Sequence, residues 1–207
     1  MTDTDRPRSP FSGQLDFSAR PPTRTVLPDD IERQLADHRL YLETEWRQGH
    51  RANFAAADLT GRDFSRLNLR GIKMDRALLR GADFTGAGLQ RANLIGAILE
   101  EACLDEADLS GARLSGANLV SASLENAGLA KAEMEFALLA KAVLRGACLR
   151  GADLSGALLD DAVLSQADLR AANLRGAEGL TQAQIDRAHC TSGTRLPEGL
   201  RGGGDGE

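Results

Sequence analysis

The chain has 207 residues and a formal net charge of −5. Between residues 52 and 176 there are 16 acidic and 14 basic side chains, so we take the charge to be spread evenly, which excludes a strongly basic nucleic-acid-binding protein. No apolar run approaches the length of a membrane span, and the N-terminal residues lack the apolar core of a secretory signal.

The first part of the chain predicts an arm followed by a helix. Residues 1–28 are rich in Pro, Ser, Thr, Asp and Arg, which is typical of a mobile arm. Residues 29–50 predict a capping helix that begins at a capping box formed by Asp29 and Glu32 and stops at Gly49. Its apolar residues recur at helical spacing and must pack on the segment that follows. They are Ile31, Leu35, Leu42 and Trp46.

A five-residue repeat occupies residues 51–176. Every fifth residue from Phe54 to Leu174 is Leu, Phe or Met, which makes 25 consecutive units. The residue two places earlier is Ala in every unit from Ala77 to Ala172. Because side chains two apart in a strand point the same way, both positions point inward, and a short strand plus a corner wraps the chain into a coil. Leu67 and Ile72 replace this alanine in the first coils, where we expect them to point inward and widen the coil.

The repeat follows the motif A-(D/N)-L-x-x, as in Ala57-Asp58-Leu59 and Ala152-Asp153-Leu154. This motif resembles that of the pentapeptide-repeat proteins. The resemblance implies an all-β solenoid, a right-handed quadrilateral β-helix with four units per coil. The repeat would then make slightly more than six coils, capped by the N-terminal α-helix and by a short C-terminal helix, with residues 20 apart stacked on one another.

After the last repeat the five-residue register breaks. Thr181 and Gln184 have the spacing of a capping box for a short helix, whose Ile185 can close the open end of the coil. We therefore expect a C-terminal cap over residues 177–197 and a disordered tail over residues 198–207. Since both ends of the rod are closed against edge-to-edge stacking, we expect a monomer or a weak dimer.

Few residues have the chemistry of an active site or a ligand site. The histidines lie outside the repeat, and His189 with Cys190 lacks the further ligands that zinc requires. No nucleophile-elbow, phosphate-loop or dinucleotide-binding motif is present. Three cysteines without a CxxC spacing fit a reducing compartment. We expect a cytoplasmic protein that is not an enzyme and has no catalytic residue, cofactor or metal.

One column of outward-facing residues departs from the repeat pattern. The position before the central Leu is most often Asp or Asn, but one column and its neighbour carry several apolar residues instead. These residues are Leu78, Ile98, Leu138 and Leu158 in the first column and Val143 and Val163 in the next. Such a stripe is typical of a docking surface. Two other interpretations stay open: the side chains only stack along a ladder, or the N-terminal arm covers them.

Phe136 is the only aromatic residue at a corner, and glycines stand 20 residues before and after it, at Gly116 and Gly156. An exposed ring can anchor a partner. It can equally lie flat over the bare glycine backbone, which is the interpretation that we favour.

An acidic cluster falls on adjoining faces of the middle coils. Its members are Glu100, Glu101, Asp105, Glu106 and Glu125. Charged faces of this kind usually keep a repeat protein soluble. The family resemblance implies a second interpretation, since some pentapeptide-repeat proteins bind DNA gyrase with a rod that looks like duplex DNA and confer quinolone resistance. Those rods are markedly acidic and typically dimerise through the C-terminal end, so the near-neutral repeat and the helical C-terminus speak against this function here.

We therefore expect a non-enzymatic scaffold that mediates protein–protein interaction with an unidentified protein partner, without direct binding to nucleic acid or membrane. The alternative is a DNA-mimicking regulator that binds DNA gyrase or another topoisomerase.

Overall fold

The structure, a computed structural model, describes residues 24–202. Within this range the chain forms helix α1 (Pro28–Glu43), helix α2 (Gln182–Ile185) and, between them, isolated parallel β-bridges in place of extended strands. The predicted arm before residue 24 and the end of the predicted tail lie outside the described residues.

From Asn53 to Glu178 the β-bridges join outward residues 20 positions apart, as in the ladder from Asn53 through Lys73 to Asn93. Four five-residue units therefore complete one turn of the coil, and the backbone hydrogen bonds run along its axis. We number the four sides by their first central residues, which are Phe54 on side 1, Leu59 on side 2, Phe64 on side 3 and Leu69 on side 4.

The central residues and the alanines fill the interior, as the period predicts. Every central residue from Phe54 to Leu174 is at most 2% exposed, and the alanines from Ala77 to Ala172 are at most 3% exposed. The rings of Phe64 and Phe84 stack with their centroids 5.0 Å apart. Burial of each leucine contributes about 2 kcal/mol to the stability of the coil.

The prediction that Leu67 and Ile72 both point inward is correct only for Ile72, which is fully buried. Leu67 remains 39% exposed. Leu67 is thus an exception to the inward position of its unit, although Ile72 in the same coil is fully buried.

The corners share one backbone conformation. In all 25 units, the second residue after the central one has a left-handed φ between 54° and 70°. The next N–H closes the turn, as where Ala57 N–H donates to the carbonyl oxygen of Phe54 at 3.0 Å. A turn with one left-handed residue at its third position favours glycine, which fills 11 of the corners. The other 14 corners carry side chains and accept this conformation at a cost of about 1 kcal/mol each.

Helix α1 begins earlier than its predicted capping box. Leu27 is the N-cap residue, Pro28 lies in the first turn, and no side chain caps the helix, so the prediction of a capping box from Asp29 and Glu32 is wrong. Proline suits the first turn because its φ is already helical and its missing N–H would have no partner inside the helix.

Helix α1 also ends earlier than predicted, at Glu43 rather than near Gly49. Glu45 and Trp46 both have a left-handed φ, which stops the helix, and Trp46 is 68% exposed. The prediction that Trp46 continues the buried apolar stripe is therefore wrong.

Side chains of α1 contact the start of the repeat. Ile31 is 2% exposed and belongs to the hydrophobic core. Nδ1 of His38 accepts the N–H of Ala52 at 3.3 Å, and the side-chain oxygen of Gln34 accepts the N–H of Asn53 at 3.4 Å. In later coils the N–H at the position of Asn53 bonds to the preceding coil, as where Lys73 N–H donates to the carbonyl oxygen of Ala52, so Gln34 replaces the coil that is missing here.

His38 itself is 1% exposed, and its Nε2 has no hydrogen-bond partner. Burial, together with the positive charge of Arg51, lowers the pKa of His38 below its ordinary value. The imidazole is therefore neutral at neutral pH, which suits an Nδ1 that accepts a hydrogen bond.

Residues 24–27, which the sequence assigns to the mobile arm, are placed on the rod. Arg24 N–H donates to the carbonyl oxygen of Ala56 at 2.7 Å, and Asp58 N–H donates to that of Arg24 at 3.2 Å. These bonds add a parallel bridge at the N-terminal edge of side 2.

At the other end of the rod, the predicted capping box of α2 is confirmed. Thr181 Oγ1 accepts the N–H of Gln184 at 3.4 Å, and the side-chain oxygen of Gln184 accepts the N–H of Thr181 at 2.7 Å. Ile185 is 1% exposed and packs in the core, as predicted.

Residues 198–202, which the sequence assigns to a disordered tail, also pack on the rod. Leu200 contacts the hydrophobic core. The side-chain amide of Gln182 accepts the N–H of Arg201 at 3.0 Å and donates to its carbonyl oxygen at 2.8 Å. The prediction of disorder is therefore wrong for these five residues.

Candidate interaction surfaces

The outward position before each central residue has a preferred local structure. In all 11 units where this residue is Asp or Asn, its side-chain oxygen accepts the backbone N–H two residues later. Asp153, for example, accepts the N–H of Ser155 at 2.9 Å. This bond satisfies a backbone donor at the corner and explains the preference for Asp and Asn.

The structure places the four predicted apolar residues in a single ladder on side 2, which we call the apolar column. Leu78 is bridged to Ile98 and Leu138 to Leu158, with Asn118 between the two pairs. Leu78 is only 7% exposed, whereas the other three are half-buried. The accessible part of the column therefore begins at Ile98 and continues to Leu158.

Val143 and Val163 are bridged to each other on side 3 and are half-buried. Each follows a member of the apolar column by five residues, so the pair lies one corner away from Leu138 and Leu158. These four residues make an apolar surface on the C-terminal coils of sides 2 and 3.

Phe136 is 59% exposed and occupies a corner with a φ of 58°. Its ring lies over Gly156, where a Cβ would stand 2.5 Å from Cε1 of the ring. Gly116, one coil earlier, has no neighbouring atom at the corresponding place within 4 Å. The ring thus covers Gly156 and not Gly116, and more than half of the Phe136 side chain stays exposed.

Two members of the acidic cluster are engaged with basic side chains in the same columns. Glu100 forms an ion pair with Arg80, and Glu125 lies 3.8 Å from Arg145. Exposed pairs of this kind add little stability, but they reduce the local negative charge.

The remaining acidic residues differ in their surroundings. Oδ1 of Asp105 accepts bonds from Ser123 Oγ at 2.5 Å and from Glu125 N–H at 2.9 Å. Glu101 and Glu106 are exposed at corners. The structure therefore brings the five predicted residues onto neighbouring faces but leaves only two of them as free surface charges.

The prediction that charge is spread evenly along the repeat is wrong. Residues 51–91 carry eight Arg and Lys against four Asp, a formal charge of +4. Residues 92–176 carry seven basic and twelve acidic side chains, a formal charge of −5. The total over the repeat hides this polarity along the rod, although a count by segment reveals it.

The part of the chain that the structure describes contains neither a cluster of metal ligands nor a membrane-spanning helix. Between residues 24 and 202, no group of three or more His, Cys, Asp or Glu is arranged to hold a metal ion. His189 is exposed, and burial raises the pKa of the neighbouring Cys190 thiol. Neither described helix combines the length and apolar character needed to cross a bilayer.

Comparison with known protein families identifies the repeat. The family described as pentapeptide repeats matches in eight copies, over residues 50–87, 63–100, 72–111, 107–146 and 137–176. The chain belongs to the pentapeptide-repeat family. Its members fold as right-handed quadrilateral β-helices, in agreement with the four ladders of this rod.

Solved structures of other pentapeptide-repeat proteins are similar to the chain. HetL, involved in heterocyst differentiation regulation in the cyanobacterium Nostoc sp. strain PCC 7120, is 30% identical over 82% of this chain and 79% of HetL, with a TM-score of 0.43. A protein from the thylakoid lumen of Arabidopsis thaliana is 36% identical over 51% of this chain, with a TM-score of 0.38, and the match spans 66% of that protein.

A trypsin-treated form of QnrB1, a plasmid-mediated fluoroquinolone resistance protein, is 19% identical over 73% of this chain and 75% of QnrB1, with a TM-score of 0.54. At this identity the likeness concerns the fold alone. No curated protein matches the chain.

Proposed function

We propose that this pentapeptide-repeat protein is a non-enzymatic scaffold that binds a partner protein through the apolar column and its neighbours Val143 and Val163. Proteins of this family generally act as structural or interaction scaffolds rather than as enzymes. In this proposal the rod has slightly more than six coils, α1 and the segment around α2 cap its ends, and the protein is a monomer or a weak dimer. The free thiols of Cys103, Cys148 and Cys190 support a cytoplasmic location.

The observation that carries the proposal is the choice of residue at the outward position. Asp and Asn accept a corner N–H there in every unit that has them, so the local structure favours a polar residue. Leu138 and Leu158 give up that bond and place partly exposed apolar surface on side 2. Because the fold itself gains little from this exchange, an interaction at the surface is the better explanation.

The rim of this surface suggests the chemistry of the partner. Asp160 and Asp161 follow Leu158 on the same corner and are exposed, and Glu101 occupies the same corner column three coils earlier. Phe136, two residues before Leu138, extends the apolar area across the other corner. Lys141 stands in that corner column beside Leu138 and is exposed, so the rim carries charges of both signs. The partner that fits therefore presents apolar side chains flanked by charged residues of both signs.

We expect the double substitution Leu138→Asp with Leu158→Asp to abolish partner binding and to leave the coil intact. Asp is native to the same column at Asp58, where it accepts the N–H of Thr60 at 3.2 Å, so the new carboxylates fit the turn. The measurement is recovery of the partner on the immobilised protein, together with the melting temperature of each variant.

The matched control adds two negative charges on side 4, with Ala130→Asp and Ala171→Asp, and it should bind the partner as the parent does. Equal binding by the side 2 variant and this control would refute the assignment. If the side 2 variant instead makes residues 1–23 easier to cleave with a protease, the apolar column is covered by the chain's own N-terminal segment.

Regulation of DNA gyrase is the second hypothesis, and the charge pattern argues against it. Pairing of Glu100 with Arg80 and of Glu125 with Arg145 leaves three of the five carboxylates of the acidic cluster without a basic partner among residues 24–202, and these charges are sparse beside the charge density of a duplex phosphate backbone. In a gyrase supercoiling assay at low salt we expect no inhibition at micromolar protein. Clear inhibition that depends on Glu101 and Glu106 and weakens with added salt would favour this hypothesis over the scaffold.

A further inference from the structure

A shallow groove on side 4 lies in the basic N-terminal part of the rod. It has a volume of about 550 Å³, and the arginines that line it are Arg66, Arg70 and Arg91. Gly88 forms part of its floor, between the side chains of Asn68 and Gln90. Since Gly88 has no side chain, the backbone between the arginines stays open.

The three guanidinium groups have no acidic partner among residues 24–202. Further along the same side, Arg150 and Arg170 lie 2.8 and 2.6 Å from a single carboxylate, Asp168. The hydrogen bond from Arg170 holds the pKa of that carboxyl below its ordinary value. Side 4 therefore pairs its arginines at the C-terminal end and leaves them unpaired at the groove.

The glycines of the next coil hold the stems of two of these arginines. A Cβ on Gly86 would stand 3.6 Å from Cγ of Arg66, and a Cβ on Gly111 would stand 3.8 Å from Cγ of Arg91. Each stem thus lies along a bare corner, one on either side of the groove. Such support reduces the freedom that an arginine loses when it binds an anion.

We propose that this groove binds a small ligand that carries two or more oxyanion groups, such as a polyphosphate. Guanidinium groups form paired, charge-assisted hydrogen bonds with phosphate and carboxylate oxygens, and three of them around one groove match a multiply charged ligand. The groove is shallow and open to solvent, so a ligand there is recognised mainly through its charged groups. The formal charge of +4 over residues 51–91 attracts an anion to this end of a chain that is acidic as a whole.

The test uses inorganic pyrophosphate as the probe and amide NMR of the full chain as the measurement. We expect saturable shifts centred on the amide of Gly88 and its neighbours, at ionic strength held constant with sodium chloride. Substituting Arg66→Gln, Arg70→Gln and Arg91→Gln together should weaken binding by at least about tenfold. The control removes an equal number of positive charges outside the groove, with Lys131→Gln, Lys141→Gln and Arg175→Gln. It should bind pyrophosphate as the parent does.

A second variant keeps all three arginines. Gly88 lies outside the left-handed corners, and Asp108 and Asp168 occupy the same column natively, so Gly88→Asp places a carboxylate in the groove without backbone strain. It should also weaken pyrophosphate binding while leaving the melting temperature near that of the parent. Equal binding by the arginine variant and its control, or equal shifts with acetate at the same ionic strength, would overturn the proposal.

Discussion

Replacing Leu109 with Ala is expected to lower the free energy of unfolding by about 2–5 kcal/mol. Leu109 lies in the middle of the rod and is fully buried, with Leu89 and Leu129 in the coils on either side. This loss has two parts. One is the transfer free energy of the removed atoms, and the other is the cost of the cavity that remains because the rigid neighbouring coils cannot fill it. Chemical denaturation followed by circular dichroism measures it.

Ser121→Ala is the control for this substitution, because Ser121 is exposed at a corner and its truncation opens no cavity. The change should alter stability by less than about 0.5 kcal/mol. If Leu109→Ala and Ser121→Ala unfold at the same denaturant concentration, the assignment of Leu109 to the core is incorrect.

The interior was predictable because its signal is repeated in every unit. A strand alternates its side chains, so a period of five with Ala and Leu two apart leaves one inward arrangement, and the burial from Ala77 to Leu174 follows it. The four-sided turn did not follow from periodicity. It came from the family resemblance, and the bridges between residues 20 apart agree with it.

The ends of the rod were less predictable. Each end depends on which of several possible residues starts or stops a helix, and this choice is not repeated along the sequence. Thr181 and Gln184 form their capping box as predicted. The same spacing at Asp29 and Glu32 does not form a capping box. Pro28 is itself a favourable first-turn residue, so α1 begins at Pro28, before the predicted box. The end of α1 depends on left-handed residues at Glu45 and Trp46, for which the sequence carries no clear signal.

The sequence predicts which surface residues stack in the same column, but not how deeply each one is buried or which charged residues it contacts. The ladder from Leu78 to Leu158 follows from stacking, whereas the deeper burial of Leu78 depends on its local packing. The side 4 groove joins Arg66, Arg70 and Arg91, which meet only once the coil brings two successive turns together. The charge averaged over the whole repeat is close to neutral, so it gives no sign of the positive charge around this groove.

Gly49→Ala is expected to destabilise the docking of α1 by more than about 2 kcal/mol, which combines left-handed strain with a steric clash. Gly49 has a φ of +73°, and a Cβ there would stand 2.3 Å from the carbonyl oxygen of Asp37 and 2.8 Å from the backbone nitrogen of Tyr41. Both are backbone atoms of a helix, so neither can yield without moving α1. Hydrogen exchange of the α1 amides measures the effect.

Gly61→Ala separates the two contributions, since Gly61 has a φ of +65° with no neighbouring atom within 4 Å of the added carbon. This control should cost only the left-handed strain, about 1 kcal/mol, and should leave hydrogen exchange in α1 unchanged. If α1 moves in Gly49→Ala, the N–H groups of Ala52 and Asn53 lose the acceptors that His38 and Gln34 supply. The exposed edge of the first coil should then promote association that rises with protein concentration, visible by light scattering. Equal costs for the two alanine variants, without association in either, would show that close contact at Gly49 does not hold α1 on the rod.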